Sequence, residues 1–314
     1  MNHKISIVIP VWNREKLVIR CLDSVLHQTV KPYEIIVVDN NSTDNTLGQV
    51  NQWIQQNQNY GIKFKLIEQP VRGACATRQK GLENVEGEFI SFFDSDDVML
   101  PNLLERVNKI INSNPEIDII CWKCRITLLD GSKRVPPFLS NNIIEAHLIH
   151  TLLRPQGYIV RKNFIEKAGG WNKPLKVWND YELGLRLILR DPKIILLNEI
   201  LVDIYSQEES ITGKDFSSKE GEWEKTLQEM IRVNEETEYT GKDLVSNILN
   251  YRMAILAAHY YREGNSNGAS KLMKETLSKN SRIKKLLLNF AYHYTRLGLR
   301  GAWRILRWAY YSKN

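Results

Sequence analysis

Apolar residues follow two alternating rhythms over the first hundred positions. Four short, nearly continuous apolar runs, at Ile5–Val11, 33–39, 62–67 and 88–93, have the length and β-branched content of buried strands. Between them lie segments with apolar residues at helical spacing. These are residues 17–26, with Leu17, Cys21 and Val25 on one face, residues 43–56, capped by Asn41, Ser42 or Thr43, and residues 73–84. Strands alternating with helices predict a mostly parallel, doubly wound sheet. Ligands of such sheets bind beyond the carboxyl ends of the strands. Two acidic groups fall there: Asp39, and the cluster Asp94-Ser95-Asp96-Asp97.

The rhythm is more mixed further on. Helices are predicted over 101–113, 143–152 and 180–189, and strands over 117–121, 125–129, 158–160, 194–197 and 201–205, with Asp130-Gly131 as a turn. Residues 206–220 are polar, and from about Gly221 the pattern is helical, including a hairpin of 244–262 and 269–279 around Gly264 and Gly268. The expected division is an α/β domain over 1–215 and a helical region over 216–314.

Composition adds little until charge is placed along the chain. At 43% hydrophobic and 25% charged, the chain is ordinary for a globular protein and can bury a large core. The net charge of +7 belongs to the tail: residues 281–314 hold eight Lys or Arg and no Asp or Glu, and subtracting eight leaves −1 for the first 280. That near-neutral body excludes a nucleic-acid binder. Four cysteines are too few for a disulfide framework and are expected to be reduced, cytoplasmic thiols. The run Ile5–Val11 is too short for a signal peptide and ends near a proline. Cys121 and Cys124 have zinc spacing but lack a second pair. No phosphate-binding glycine loop appears.

Three carboxylates within four residues repel one another and are tolerated best beside a cation or water. In an extended segment Asp94 and Asp96 would face one side and share a hard cation with a diphosphate. The alternative is a solvated acidic loop that caps the following helix.

Set beside the rest of the chain, the cluster resembles the Asp-x-Asp motif of the family 2 glycosyltransferases. Val8-Ile-Pro-Val-Trp-Asn-Arg14 is similar to the family's opening strand and loop, and Asp39-Asn-Asn-Ser-Thr-Asp44 to its Asp-x-x-Ser-x-Asp element. Gly73-Ala-Cys-Ala-Thr-Arg78 resembles its glycine–arginine helix. Gly169-Gly-Trp-Asn172 followed by Trp178-Asn-Asp180-Tyr-Glu-Leu-Gly-Leu-Arg186 resembles its acceptor-side segment. The pieces occur in the family's order and cover roughly residues 4–212.

The resemblance implies a GT-A fold, Rossmann-like with a mostly parallel central sheet, and an inverting transfer of a hexose from a UDP-sugar to a hydroxyl. Pro10, Asn13, Asp39, Arg78, Asp94 and Ser95 would bind the nucleotide, and Asp96 a Mn²⁺ or Mg²⁺ ion that bridges the diphosphate. Asp39 would accept from the uracil imide, or else cap the helix that follows. Asp44 reads as a first-turn helix residue, and Arg78 either meets the phosphates or pairs with the acidic loop. Asp180 would be the general base, taking the acceptor's proton opposite the leaving phosphate; the other reading is a helix cap. Trp171 and Trp178 suit either sugar stacking or the core. Two departures stand out. The family often has Glu-Asp where this chain has Asn179-Asp180, and many members carry a histidine ligand near 207, where Gln207 and Glu208 stand; Glu208 is the substitute ligand considered.

Residues 282–311 show helical apolar spacing with Arg296, Arg300 and Arg304 as a stripe, and the longest charge-free run is ten residues, too short to span a bilayer. Peripheral contact with an anionic membrane fits this, as does packing on the α/β domain. A cytoplasmic enzyme at the inner face of the cell membrane, acting on a saccharide or lipid-linked acceptor in bacterial surface-polysaccharide assembly, is the expectation. Its rivals are a non-catalytic sugar-nucleotide-binding scaffold and a nucleotidyltransferase.

Overall fold

The computed structural model describes residues 2–138, 142–207, 216–219 and 221–311. The chain divides into two compact units, residues 1–141 with 150–209, and residues 142–149 with 210–314.

The first unit is built on a sheet of β1 (Ile5–Val11), β2 (Glu34–Asp39), β3 (Lys63–Glu68), β4 (Phe89–Phe92), β5 (Val98–Met99), β6 (Ile119–Thr127), β7 (Lys133–Arg134), β8 (Tyr158–Arg161) and β9 (Ile194–Tyr205). Their order is β3-β2-β1-β4-β8-β6-β9-β5, with β7 on β6. The β3-β2-β1-β4 half is parallel, as is the long β6–β9 pair, whereas β8 runs antiparallel to both its neighbours. Parallel pairing therefore dominates, as the alternation of elements predicts. β1 and β2 are buried nearly throughout, which explains their unbroken apolar runs. β3 lies at the edge and carries the lysines that discourage further pairing.

Helices α1 (Val18–Leu26), α2 (Thr46–Gln56), α3 (Ala74–Glu83) and α4 (Leu103–Ser113) follow the early strands; α5 (Ile143–His150), α6 (Lys162–Lys167) and α7 (Asn179–Ile188) come later. Leu22 and Val25 of α1 pack with Ile7, Ile9, Ile35 and Val37 into the main core. α3 lies close on the strands because Gly81 has no side chain. A Cβ there would meet Val8 Cγ1 at 2.3 Å.

Several element boundaries differ from expectation. The predicted pairs 117–121 with 125–129, and 194–197 with 201–205, are each one strand. Register shifts on either side of Lys123 let β9 skip the polar Asn198 and Glu199 without losing the ladder, since Trp122 pairs with Leu197 and Lys123 with Ile200. α2 begins at Thr46, not 43, for reasons that lie in its entry loop. β5 and β7, two residues each, leave no periodic trace in the sequence.

In the second unit α8 (Glu222–Glu236), α9 (Lys242–Arg262), α10 (Ser266–Ser278), α11 (Arg282–Arg296) and α12 (Ala302–Tyr311) gather with α5. α9 is central: Ile248, Ala254, Ala257 and Ala258 are fully buried. Arg252 donates to the Leu148 carbonyl at 3.0 and 2.8 Å, and Trp303 Nε1 donates to Glu145 at 3.0 Å. The expected stripe of Arg296, Arg300 and Arg304 does not exist on one helix. Gly298 and Gly301, at φ +83° and +88°, end α11 and turn the chain into α12. Among the described residues no helix is long and apolar enough to cross a membrane.

Candidate active site

The loops beyond β1, β2 and β4 form one polar network within the first unit. Asp39, the last residue of β2, is 1% exposed. Its carboxylate accepts from Ser42 N at 2.9 Å and Ser42 Oγ at 2.5 Å. Ser42 Oγ in turn accepts from the Asn13 amide at 3.0 Å, and Asn13 Oδ1 accepts from Thr43 N at 2.8 Å. Asn13 sits in the left-handed region (φ +50°), just beyond Pro10 and the end of β1. Asp44 is not a first-turn residue of α2. It precedes the helix, and its Oδ1 accepts from Thr46 N at 3.0 Å. These side-chain bonds hold residues 42–45 as a loop and delay the helix. Asp39 thus orders the turn rather than capping α2.

Asn40, which the sequence did not single out, fixes the next loop. Its amide donates to the Gln69 and Val71 carbonyls, and its Oδ1 accepts from Gly73 N at 2.8 Å, setting the start of α3. One turn later Arg78 is 8% exposed. It donates to Asp94 Oδ1 at 2.7 Å and to Asn179 Oδ1 at 3.3 Å, and its guanidinium lies 5.0 Å above the Trp171 ring. Trp171 is buried against Phe92, which makes it a floor for Arg78 and not a sugar platform. Among the described residues, the Nε of Arg78 and Nε1 of Trp171 have no hydrogen-bond partner.

Residues 94–97 form a turn, closed by Asp97 N donating to Asp94 O, the loop alternative to an extended segment. The consequence is a division of labour among the carboxylates. Gln156 Nε2 bridges Asp94 Oδ2 (2.8 Å) and Asp97 Oδ2 (2.6 Å), and Asp97 Oδ1 accepts from Tyr205 N. Both oxygens of Asp94 and of Asp97 are therefore engaged. Ser95 is buried. Asp96 is the less committed group: its nearest cation is Arg14, Nε to Oδ2 3.7 Å, and its side chain is 18% exposed. Burial, reinforced by Asp94, pushes its carboxyl above the usual range. Burial does the same more strongly to Asp97, with Asp94 and Asp96 adding to it.

A divalent cation shared with a diphosphate needs only one or two protein carboxylates, the remaining ligands being phosphate oxygens and water. Asp96 fits that role: it is an oxygen donor, reachable, and destabilised by its own charge. Among the described residues no three His, Cys, Asp or Glu side chains are grouped to hold an ion unaided. Glu208 lies outside the described residues.

Asp180 sits in the first turn of α7, which begins after Trp178 in the left-handed region (φ +49°). It is half-buried. Burial pushes its carboxyl above the usual range, against the opposing charge of Arg78. Asn179, where the family often has an acid, holds Arg78. Behind them Arg186 ties Glu182 (2.6 Å) to the Gly170 carbonyl (2.8 Å), fixing the turn that carries Trp171. From Asp39 through Ser42, Asn13 and Arg14 to Asp96, and from Asp94 through Arg78 to Asn179 and Asp180, the candidate residues form one cluster. Cys121 and Cys124 are free, buried strand residues; the Cys124 thiol donates to the Gln156 carbonyl at 3.9 Å, and burial pushes it up to about 12.

Residues 6–160 match the model of Glycosyl transferase family 2. Over 207 residues the chain is 28% identical to the uncharacterized glycosyltransferase RT0329 of Rickettsia typhi, covering 63% of this chain and 62% of that protein, so it spans less than two thirds of this relative's length. Over 98 residues it is 45% identical to a poly(ribitol-phosphate) beta-glucosyltransferase of Bacillus spizizenii, covering 30% of this chain and 15% of that one. Among solved structures, residues 1–349 of S. aureus TarS in complex with UDP-GlcNAc superpose with a TM-score of 0.74 at 18% identity, covering 94% of this chain and 92% of that chain. With the motif order, the family match and the shared fold in agreement, the chain belongs to glycosyl transferase family 2 and has the GT-A fold.

Proposed function

We propose that the chain is an inverting hexosyltransferase that uses a UDP-sugar and Mn²⁺ or Mg²⁺, and that residues 1–215 are its catalytic region. The acceptor is a hydroxyl of a saccharide or lipid-linked saccharide in the assembly of a bacterial surface polysaccharide. The observation that carries this reading is the buried Arg78, which donates to Asp94 and to Asn179 beside Asp180 and so ties the 94–97 turn to the start of α7.

In this reading Asp39 retains lone pairs to accept from the uracil imide, with Pro10 and Asn13 lining the base and ribose. Arg78, Asp94 and Ser95 orient the diphosphate side, and Asp96, with Glu208 as a further candidate, would hold the cation. When bound, that ion would offset charge on the departing diphosphate. Asp180 takes the proton from the acceptor hydroxyl while the oxygen bonds to the anomeric carbon. The bond from that carbon to the phosphate oxygen breaks, and its electron pair leaves with UDP. TarS, crystallised with UDP-GlcNAc, and the poly(ribitol-phosphate) beta-glucosyltransferase support a nucleotide-sugar donor and a polymer acceptor. The test is UDP release across a panel of UDP-sugars with Mn²⁺, Mg²⁺ or chelator. Release from at least one donor, lost with chelator, is expected; silence with every donor and metal overturns the proposal.

A further inference from the structure

The second unit leaves one apolar face uncovered. α11 packs inward through Leu288, Ala291 and Thr295. On its opposite side Ile283, Leu286, Phe290 and, at the helix end, Leu297 are spaced by three, four and seven residues and so share one face. Their exposures are 59, 67, 41 and 78%. Leu299, beyond the end of α11, and Ile305 of α12 are exposed as well, so that six of the eleven strongly exposed large apolar side chains among the described residues fall between 283 and 305. Scattered exposed leucines need no explanation, but a contiguous stripe does.

The charges around the stripe say what covers it. Arg282 and Lys285 flank it, and Arg300 and Arg304 flank the corner; none of them forms an ion pair among the described residues. Arg296 and Arg307 are spoken for, one over the Tyr261 ring at 3.8 Å and the other on Glu145 at 3.0 Å. No carboxylate occurs from 281 to 314 to neutralise the face. A second copy of the chain docking here would bring the same cations together, which disfavours it. An exposed apolar stripe with unpaired cations along its flank and in the following turn and helix matches the interface of an anionic bilayer, where the stripe enters the headgroup boundary and the cations meet lipid phosphates.

We propose that the exposed face of α11 and the α11–α12 corner dock on an anionic lipid surface, lying on it without crossing it. This stands apart from the donor and acceptor assigned above, because binding is read with neither present. The experiment is flotation of the full chain with phosphatidylcholine vesicles, with and without phosphatidylglycerol, in low and high salt. Flotation is expected only with phosphatidylglycerol and is expected to weaken in high salt. Lys285→Gln/Arg300→Gln/Arg304→Gln should lower partitioning by roughly two orders of magnitude, at about fivefold per cation. Leu286→Ser/Phe290→Ser should lower it at least tenfold, with melting temperature unchanged because both side chains are exposed. No flotation of the wild-type chain overturns the proposal, as does flotation that both variants leave intact. A self-association lost in Leu286→Ser/Phe290→Ser without lipid binding would assign the face to a second copy instead.

Discussion

Replacing Asp180 by Asn tests the proposed chemistry at its most exposed point. The substitution keeps shape and removes only the ability to accept a proton. A positioned general base contributes about 10² to 10⁴ in rate, which is about 3–5 kcal/mol of barrier. The upper part of that range is expected here, because burial raises the carboxyl's proton affinity while the charge of Arg78 opposes that rise. UDP binding should change less than threefold, since Asp39 and Asp96 are reached through different loops. Burial of the ionised form works against folding, so the Asn variant should melt at the same temperature or higher. For the wild-type enzyme the sign of the pH effect follows from the same shift. Asp180 works deprotonated, and its folded value lies above the ordinary 3.8, so kcat/KM should fall on the acid side through a limb displaced upward from the usual carboxylate range. Stability linked to this group runs the other way, being greatest in acid and lost as pH rises through the folded value. The assays are UDP release under saturating donor, calorimetric titration of UDP and thermal unfolding. Turnover by Asp180→Asn within tenfold of wild type would refute the assignment.

Arg78→Met should destabilise the first unit by about 3 kcal/mol, because Asp94 and Asp180 lose the charge that compensates their burial; it should also move the acid limb to higher pH, and a denaturant melt with a pH–rate profile reads both. Gln156→Leu removes the amide shared by Asp94 and Asp97 and should cost about 2 kcal/mol of stability while weakening donor binding, measured by urea titration and by KM. Gly81→Ala drives a methyl into Val8 and should lower stability by roughly 1–3 kcal/mol, visible as a fall in melting temperature, with the KM of any molecules that fold unchanged.

The parts of this site that were legible in the sequence share a reason. Asp39 and Asp94 stand at the ends of strands and Asp180 at the start of a helix, positions that apolar periodicity locates; their proposed roles come from the resemblance to the family. Gln156 and Asn40 were invisible because neither lies on a periodic element. Gln156 acts on residues 59 and 62 positions earlier in the chain, and one amide among many carries no sign of such a reach. The turn at 94–97 is the loop alternative, which nothing in Asp-Ser-Asp-Asp by itself separates from an extended segment. The fused strands β6 and β9 were split for another reason. A bulge lets polar residues sit inside a ladder, and a period-2 reading has no place for them. In the tail, Gly298 and Gly301 were the available clue that one arginine stripe would be broken in two.

The placement of α5 has a consequence for how this protein is made. Residues 142–149 belong to the second unit, yet they leave the ribosome well before α8 to α12 exist to cover them. Ala146, His147 and Leu148, buried in the finished protein, must wait uncovered while some sixty further residues of the first unit are translated. The helical unit therefore cannot close until α8 to α12 have been made, and the chain threads from one unit to the other and back. Cutting the gene at the composition change near 215 would leave α5 as an orphan with its apolar side bare.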